Sequence, residues 1–263
     1  MLKKLLKHDL KSIFKFLMIF YSLALFFALL TRIFLNIENS FVINIIGQIC
    51  SGVSISMMIN ILVNNLMRLW VRFKQNLYGD ESYLTHTLPI TKKTLYLSKI
   101  LTAVITLFTS VLVIGLTLFI AYYSKANLEL LKNILLPVAD IYEVSIIQIL
   151  LVFLFIFFLE FANALQAGFA GIILGHKMNN AKTGYSVIFG FISYMVIQIF
   201  ALLTIFVVSI FNPDLMNLFI TNEMVNIEMI KTVIYLVITI YSITFIVGYI
   251  INLKLFKKGV NVD

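Results

Sequence analysis

The sequence predicts an all-α, polytopic membrane protein with six transmembrane helices and both termini on the cytoplasmic side. Three observations carry this expectation. The 263 residues are 61% hydrophobic and 12% charged, roughly half the charge of an average soluble domain. Apolar runs of about 20 residues, enough to cross a hydrocarbon core of about 30 Å, recur along the whole chain. Lysine and arginine, finally, gather in alternate connections, as the positive-inside rule requires. A soluble fold with a mean hydropathy of +1.03 would have apolar surface that nothing could cover. One transmembrane domain, residues 1–263, is expected, without internal repeat or low-complexity linker.

The first element is the segment "MLKKLLKHDLKSIFKFL". Leu2, Leu5, Leu6, Leu10, Ile13, Phe14 and Leu17 recur at helical spacing, with Lys4, Lys7, Lys11 and Lys15 on the opposite face. Such a basic amphipathic helix, residues 1–15, is expected in the headgroup plane, its lysines near anionic lipid phosphates. Spans are expected over about residues 16–36, 41–71, 95–123, 144–175, 183–211 and 231–253. The first is no cleavable signal, because no small-residue cleavage site follows it. Pro89, Pro137 and Pro213 all fall between spans, consistent with the need to satisfy backbone groups inside helices in lipid.

Orientation follows from charge. Place both termini, connections 72–94 and 176–182, and the flanking span ends on one side. Every lysine and arginine except Arg32, Lys125, Lys132 and Lys231 then falls there, which makes that side cytoplasmic. The other side holds Glu38, Glu129, Asp140, Glu143, Asp214, Glu223 and Glu228. The net charge of +8 is thus a topology signal, and no nucleic-acid partner is expected. The outer segments "NLELLKNILLPV" and "NPDLMNLFITNEMVNIEMI" read as surface helices, too small for a receptor domain.

Little in the chain suggests catalysis. It carries no paired His-Glu on a helix, no Gly-x-Ser-x-Gly elbow and no Cys-His constellation. Lys182-Thr183 follows Asn180-Ala181 rather than phosphate-cradling glycines. No ATPase or other enzyme is therefore expected in this chain. Cys50 stands alone, and His8, His86 and His176 lack ligand spacing, so neither a disulfide nor a metal site is expected.

One ionisable residue, Glu160, falls in the middle of a span, where a charge costs about 2.5–3.5 kcal/mol on insertion scales. Glu160, Ala164, Ala167, Gly171 and Gly175 share a helical stripe, with Asn163 beside it. Small residues at this spacing let another helix approach closely. Two readings stay open: a polar cavity wall or coupling point, and a structural carboxyl bonded to a neighbouring span. Asn44, Gln48 and Ser51 form a weaker stripe, with Asn60 and Asn64 on another face. These fit either polar glue between helices or a wetted substrate path.

The polar insert "FKQNLYGDESYLTHTLPITKKTLYLSKI" is long for a turn between spans. Asp80 can cap a short helix whose first turn holds Glu81. That helix, residues 82–87, must end near Leu88, because the residue before Pro89 is pushed out of helical geometry. Thr91 caps the next helix, which runs into the third span. Two helices meeting at a stiff corner suit a rigid lever seated in a partner's cleft.

At these residues the chain resembles a known family. "YGDESYLTHTLPITKKTLYLSKI" looks like the segment between spans two and three of type-two permeases of ATP-binding-cassette (ABC) exporters. "ALQAGFAGIILGHKMNNAKTGYSVIFGF" is similar to the fourth-to-fifth span region of bacterial peptide and antibiotic exporters. The resemblance implies a coupling helix formed by Tyr78, Gly79, Asp80, Glu81, Ser82, Tyr83, Leu84, Thr85, His86, Thr87, Leu88 and Pro89. It would dock on separate ATPase subunits, two per complex, which carry ATP and Mg. Gly79 would permit the tight turn and Pro89 would stiffen the corner. The resemblance further implies a second permease chain, identical or homologous, a bacterial cytoplasmic membrane, and export of amphipathic or antimicrobial peptides, or of lipids or hydrophobic drugs. The short connection between spans five and six departs from the pattern and implies a reduced or missing re-entrant hairpin. The rival expectations are a sensing or scaffold protein using the same insert, and an intramembrane enzyme using Glu160.

Overall fold

A computed structural model describes residues 1–37, 41–212, 215–216 and 227–259. Among them are eight α-helices and no strand: α1 (Leu2–Leu35), α2 (Phe41–Leu77), α3 (Ser82–Thr87), α4 (Lys92–Tyr122), α5 (Lys125–Tyr142), α6 (Ile146–Gly175), α7 (Lys182–Phe211) and α8 (Ile227–Lys257). Six of them, α1, α2, α4, α6, α7 and α8, are long and apolar enough to cross a membrane. The chain is a multi-pass, all-helical membrane protein. The outer segment between spans five and six, where a surface helix and a reduced or missing hairpin are expected, lies largely outside the described residues.

The residues expected as an interfacial helix, 1–15, and those expected as the first span form one continuous helix. No glycine or proline interrupts Leu2–Leu35, so nothing in the backbone stops the helix. Its 34 residues rise about 51 Å, well beyond a core of about 30 Å. The lysine-bearing first turns are therefore an extension of the span, with Lys4, Lys7, Lys11 and Lys15 exposed. Ile13 and Leu17, expected to face lipid, are buried in the protein. His8, expected in a polar connection, lies within this helix.

Local signals set the other boundaries. Thr91 caps α4 as expected, its Oγ1 accepting from the Thr94 amide at 3.2 Å. Ser145 opens α6 with a capping box completed by Gln148. α2 runs six residues past its expected end, to Leu77. α5 contains Pro137 in its interior, which removes one helical hydrogen bond and is tolerated outside the spans.

The chain divides into two compact units. The first comprises Met1–Phe73 and Leu88–Lys132, the second Lys74–Thr87 and Asn133–Asp263.

In the first unit, α1 presents one buried stripe, Asp9, Ile13, Leu17, Tyr21, Ala24, Ala28 and Thr31, and packs extensively on α4. The facing surface of α4 is small and hydroxylic, including Thr102, Ala103, Thr106 and Ser110, which allows close helix approach. Polar contacts then lock three helices at successive levels. At one end Asp9 of α1 meets Lys99 of α4 at 2.7 Å and Arg72 of α2 at 3.7 Å. Midway, Ser110 bonds both the Tyr21 hydroxyl and Asn65 Nδ2 at 2.8 Å. At the far end Ser51 bonds Tyr122 at 2.6 Å, and Arg32 donates to the Ile120 carbonyl at 3.4 Å. Along this ladder α1 and α4 run parallel and α2 antiparallel to both.

Asp9 and Lys99 are respectively 3% and 6% exposed, so removing one charge strands the other away from water. Asp9→Asn should lower stability by about 3–5 kcal/mol, the range for breaking a buried pair. Thermal unfolding of the purified protein in detergent measures it; an unchanged midpoint would show that the pair does not hold the helices.

Candidate functional site

The second unit is built on α6, with α7 and α8 packed against it. Glycines set the α6–α7 approach. A Cβ at Gly171 would overlap the backbone of Ser186 and Gly190, and one at Gly175 would overlap Ser186. Ala167, only 2% exposed, continues the stripe toward Gly190, whereas Ala164 is half-buried.

Asn163 has no exposed surface and ties α6 to α8. Its Nδ2 donates to the Leu159 and Tyr241 carbonyls at 3.0 and 2.9 Å, and its Oδ1 accepts from Thr244 Oγ1 at 2.9 Å. Lower on the same interface Asn252 Nδ2 donates to both the carbonyl and the Oε1 of Gln166 at 2.9 Å.

Glu160 lies where all three helices contribute. Its Oε1 accepts from the Tyr194 hydroxyl at 2.5 Å and from Gln198 Nε2 at 2.8 Å. The Tyr241 hydroxyl donates to Gln198 Oε1 at 2.9 Å. The Tyr241 hydroxyl also lies close to the Glu160 carboxyl, but none of these bonds reaches Oε2. That oxygen is covered and has no hydrogen-bond partner. One carboxylate oxygen is therefore doubly satisfied and the other bare.

A second cluster caps one end of this unit. Lys74 Nζ donates to Thr183 Oγ1 at 2.7 Å, and Tyr78 stacks on His176 with ring centroids 4.4 Å apart. Tyr78 and His176 are 1% and 0% exposed, and burial pushes the Tyr78 phenol above its ordinary range. His86 donates through Nε2 to the Leu77 carbonyl at 3.1 Å, and its ring lies against Phe256. Segment Lys74–Thr87 is thereby fixed to the ends of α6, α7 and α8.

Details of this segment differ from the sequence expectation. α3 starts at Ser82, so Asp80 precedes it and is exposed. The Glu81 carboxylate accepts from Asn76 Nδ2, closing the turn between α2 and α3. Gly79 does not occupy the left-handed region; a Cβ there would meet the Gln75 backbone at 3.3 Å, so close packing, not a special turn, favours glycine. The end of α3 at Thr87 agrees with the expected Leu88-Pro89 break. Tyr78 and Ser82 are buried, Thr85 is half-buried, and Tyr83, Leu84, His86, Thr87, Leu88 and Pro89 are exposed.

Asn44, Gln48 and Ser51 belong to the first unit. Asn44 and Gln48 are exposed, while Ser51 takes part in the ladder with Tyr122. Asn60 and Asn64 donate back along α2 to the Ser56 and Asn60 carbonyls at 2.9 Å. Sequence reasoning overlooked Asp9, Gln166, Tyr194, Gln198, Tyr241 and Asn252. One available signal was Tyr194 and Gln198, four residues apart and so on one face of an otherwise apolar helix.

Among the described residues no group of His, Cys, Asp or Glu could hold a metal ion. No protein-family model, curated protein or solved structure matches this chain.

Gly171→Ala tests the close approach of α6 and α7. The added methyl must push backbone against backbone, costing about 1–3 kcal/mol. Gly184→Ala, with nothing within 4 Å of the new atom, is the control and should leave the thermal midpoint unchanged. Equal midpoints for the two variants would refute the tight contact.

Proposed function

We propose that the chain is the membrane permease subunit of an ATP-driven exporter in a bacterial cytoplasmic membrane, with segment Lys74–Thr87 as its coupling lever. One observation carries this reading. Between two membrane-spanning helices the chain holds a short helix rigidly by buried contacts and exposes apolar side chains on it. Tyr83 and Leu84 are 67% and 75% exposed, and the following Leu88 is 43% exposed. Exposed residues of this kind on a spanning helix face lipid, but α3 is six residues long and spans nothing. Clustered apolar surface outside the spans marks a docking site for another protein.

The division of labour within the segment suits a lever. Tyr78 and Ser82 face inward and anchor it, Glu81 closes its turn through Asn76, and Tyr83 and Leu84 face out. A partner that pushes on α3 therefore works against fixed contacts. The chain carries no phosphate-binding loop of its own, so the ATP and Mg chemistry belongs to separate ATPase subunits, two in a complex with a second permease chain. The lysine-rich first turns of α1 would lie at the same cytoplasmic face, near lipid phosphates and able to add a second contact. Amphipathic peptides are the proposed cargo, since the outer connections are too short in sequence for a receptor domain and recognition must sit in or beside the membrane.

Copurification from native membranes tests the reading. An ATPase subunit should accompany the wild-type chain. Leu84→Asp should reduce its recovery about tenfold or more, as expected for a truncated docking anchor, without altering the thermal midpoint. Retention of the ATPase by this variant, or its absence from the wild-type preparation, would exclude α3 as the docking element; a regulatory protein in its place would favour the scaffold reading.

Cysteine labelling in a Cys50→Ala background tests orientation. Thr87→Cys should react only after the membrane is permeabilised, and Glu129→Cys in intact cells. The opposite pattern would invert the topology.

A further inference from the structure

We infer that Glu160, with Tyr194, Gln198 and Tyr241, forms a binding site within the membrane for the cationic head of an amphiphile. The inference deepens the exporter reading by naming a cargo chemistry, an ammonium-type head on an apolar tail. Its physical basis is the imbalance at the Glu160 carboxyl.

Glu160 is the fifteenth of thirty residues in α6, far from either end of the helix. Among the described residues, no lysine or arginine forms an ion pair with it. The cations of the same three helices stand at their ends. Lys231 is ten residues before Tyr241 and Lys182 twelve before Tyr194, about 15 and 18 Å of helix, beyond the reach of a lysine side chain.

Meanwhile the surroundings favour charge on one side only. Oε1 takes two donors, and Oε2 takes none. An unmet buried acceptor costs about 1–3 kcal/mol, more when charged, a cost that a bound donor would relieve. Asn163, one turn away on the same helix, shows the structural pattern, with both its amide nitrogen and its oxygen bonded. Glu160 instead presents half of a recognition pair.

The missing half is a donor that carries positive charge. An ammonium head supplies it, with N–H or polarised C–H groups directed at Oε2. Tyr194 and Tyr241 add ring faces, which attract cations when water is excluded. Glu160, Tyr194, Gln198 and Tyr241 are each only half-buried, so small rotamer changes uncover Oε2. Exposed Phe157 and Ile199 flank the cluster along α6 and α7 and offer apolar surface to the tail.

The test uses the full chain in phosphatidylcholine nanodiscs, without any partner protein. The probes are a fluorescent dodecyltrimethylammonium and its uncharged dodecyl counterpart, titrated against nanodiscs lacking protein. The wild type should bind the charged probe saturably, one per chain, and prefer it over the neutral probe. Glu160→Gln should weaken the charged probe at least about tenfold, the loss expected for a charge-assisted contact, and leave the neutral probe unaffected. Glu160→Asp should retain the preference for charge. Tyr194→Phe, which removes one donor to Oε1, should shift affinity less than Glu160→Gln. Equal binding of the charged probe to wild type and Glu160→Gln would overturn the site, showing a carboxyl that holds only a proton. If Glu160→Gln fails to fold, the wild type decides alone, and no preference for charge would overturn the site equally. Because no ATPase is present, this outcome is independent of the copurification result.

Discussion

Asp9 settles which helices of the first unit can be neighbours. Lipid tails are as apolar as leucine, so burying leucine against leucine does not select one helix pairing over another in a membrane. A carboxylate does. Asp9 must find cations, and the unit offers them at a single level, Lys99 on α4 and Arg72 on α2. Once that register is set, the rest of the ladder falls into line. Tyr21, twelve residues on along α1, meets Ser110, eleven residues on along α4. Helices that rise together by equal lengths are parallel, and the two contacts fix both translation and rotation.

The second unit solves the same problem with neutral groups. Gly171, Gly175 and Gly190 bring two backbones together, and amides fix the third helix through Asn163 and Asn252. Amide groups carry donor and acceptor together, so they register helices without the desolvation cost of a charge. Against this background Glu160 stands apart. Its partners Tyr194 and Gln198 lie on α7, whose approach Gly171 and Gly175 already set. A carboxyl kept where neutral groups suffice fits the binding role inferred for it.

The sequence made the six spans legible because length and apolarity alone decide them. The Leu88-Pro89 break and the Thr91 cap were legible for a similar reason, being local in the chain. Long-range pairing was not. Glu160 finds Gln198 across 38 residues and Asn163 finds Thr244 across 81, distances over which periodicity carries no information. Asp9 escaped notice because the lysines around it made the segment look like a membrane-surface helix. The same pattern suggested a separate interfacial helix over residues 1–15, yet charge placement sets how deep a helix sits and not where its backbone stops. At Glu81 the sequence suggested the α3 terminus, and Asn76 is the group that the folded turn brings to the carboxylate.

Segment Lys74–Thr87 joins these two constructions. By its contacts it belongs with α6, α7 and α8, through Thr183, His176 and Phe256. By chain connectivity it continues α2, which lies in the first unit up to Phe73, and leads into α4, which lies there whole. α2 runs unbroken to Leu77, and only Leu88–Thr91 separates α3 from α4. Displacing α3 therefore works against the side-chain contacts of its own unit. A loop placed only to reverse the chain gains nothing from such anchoring. On the exporter reading the anchoring is the point, because a force applied at Tyr83 and Leu84 meets α6, α7 and α8 through those contacts.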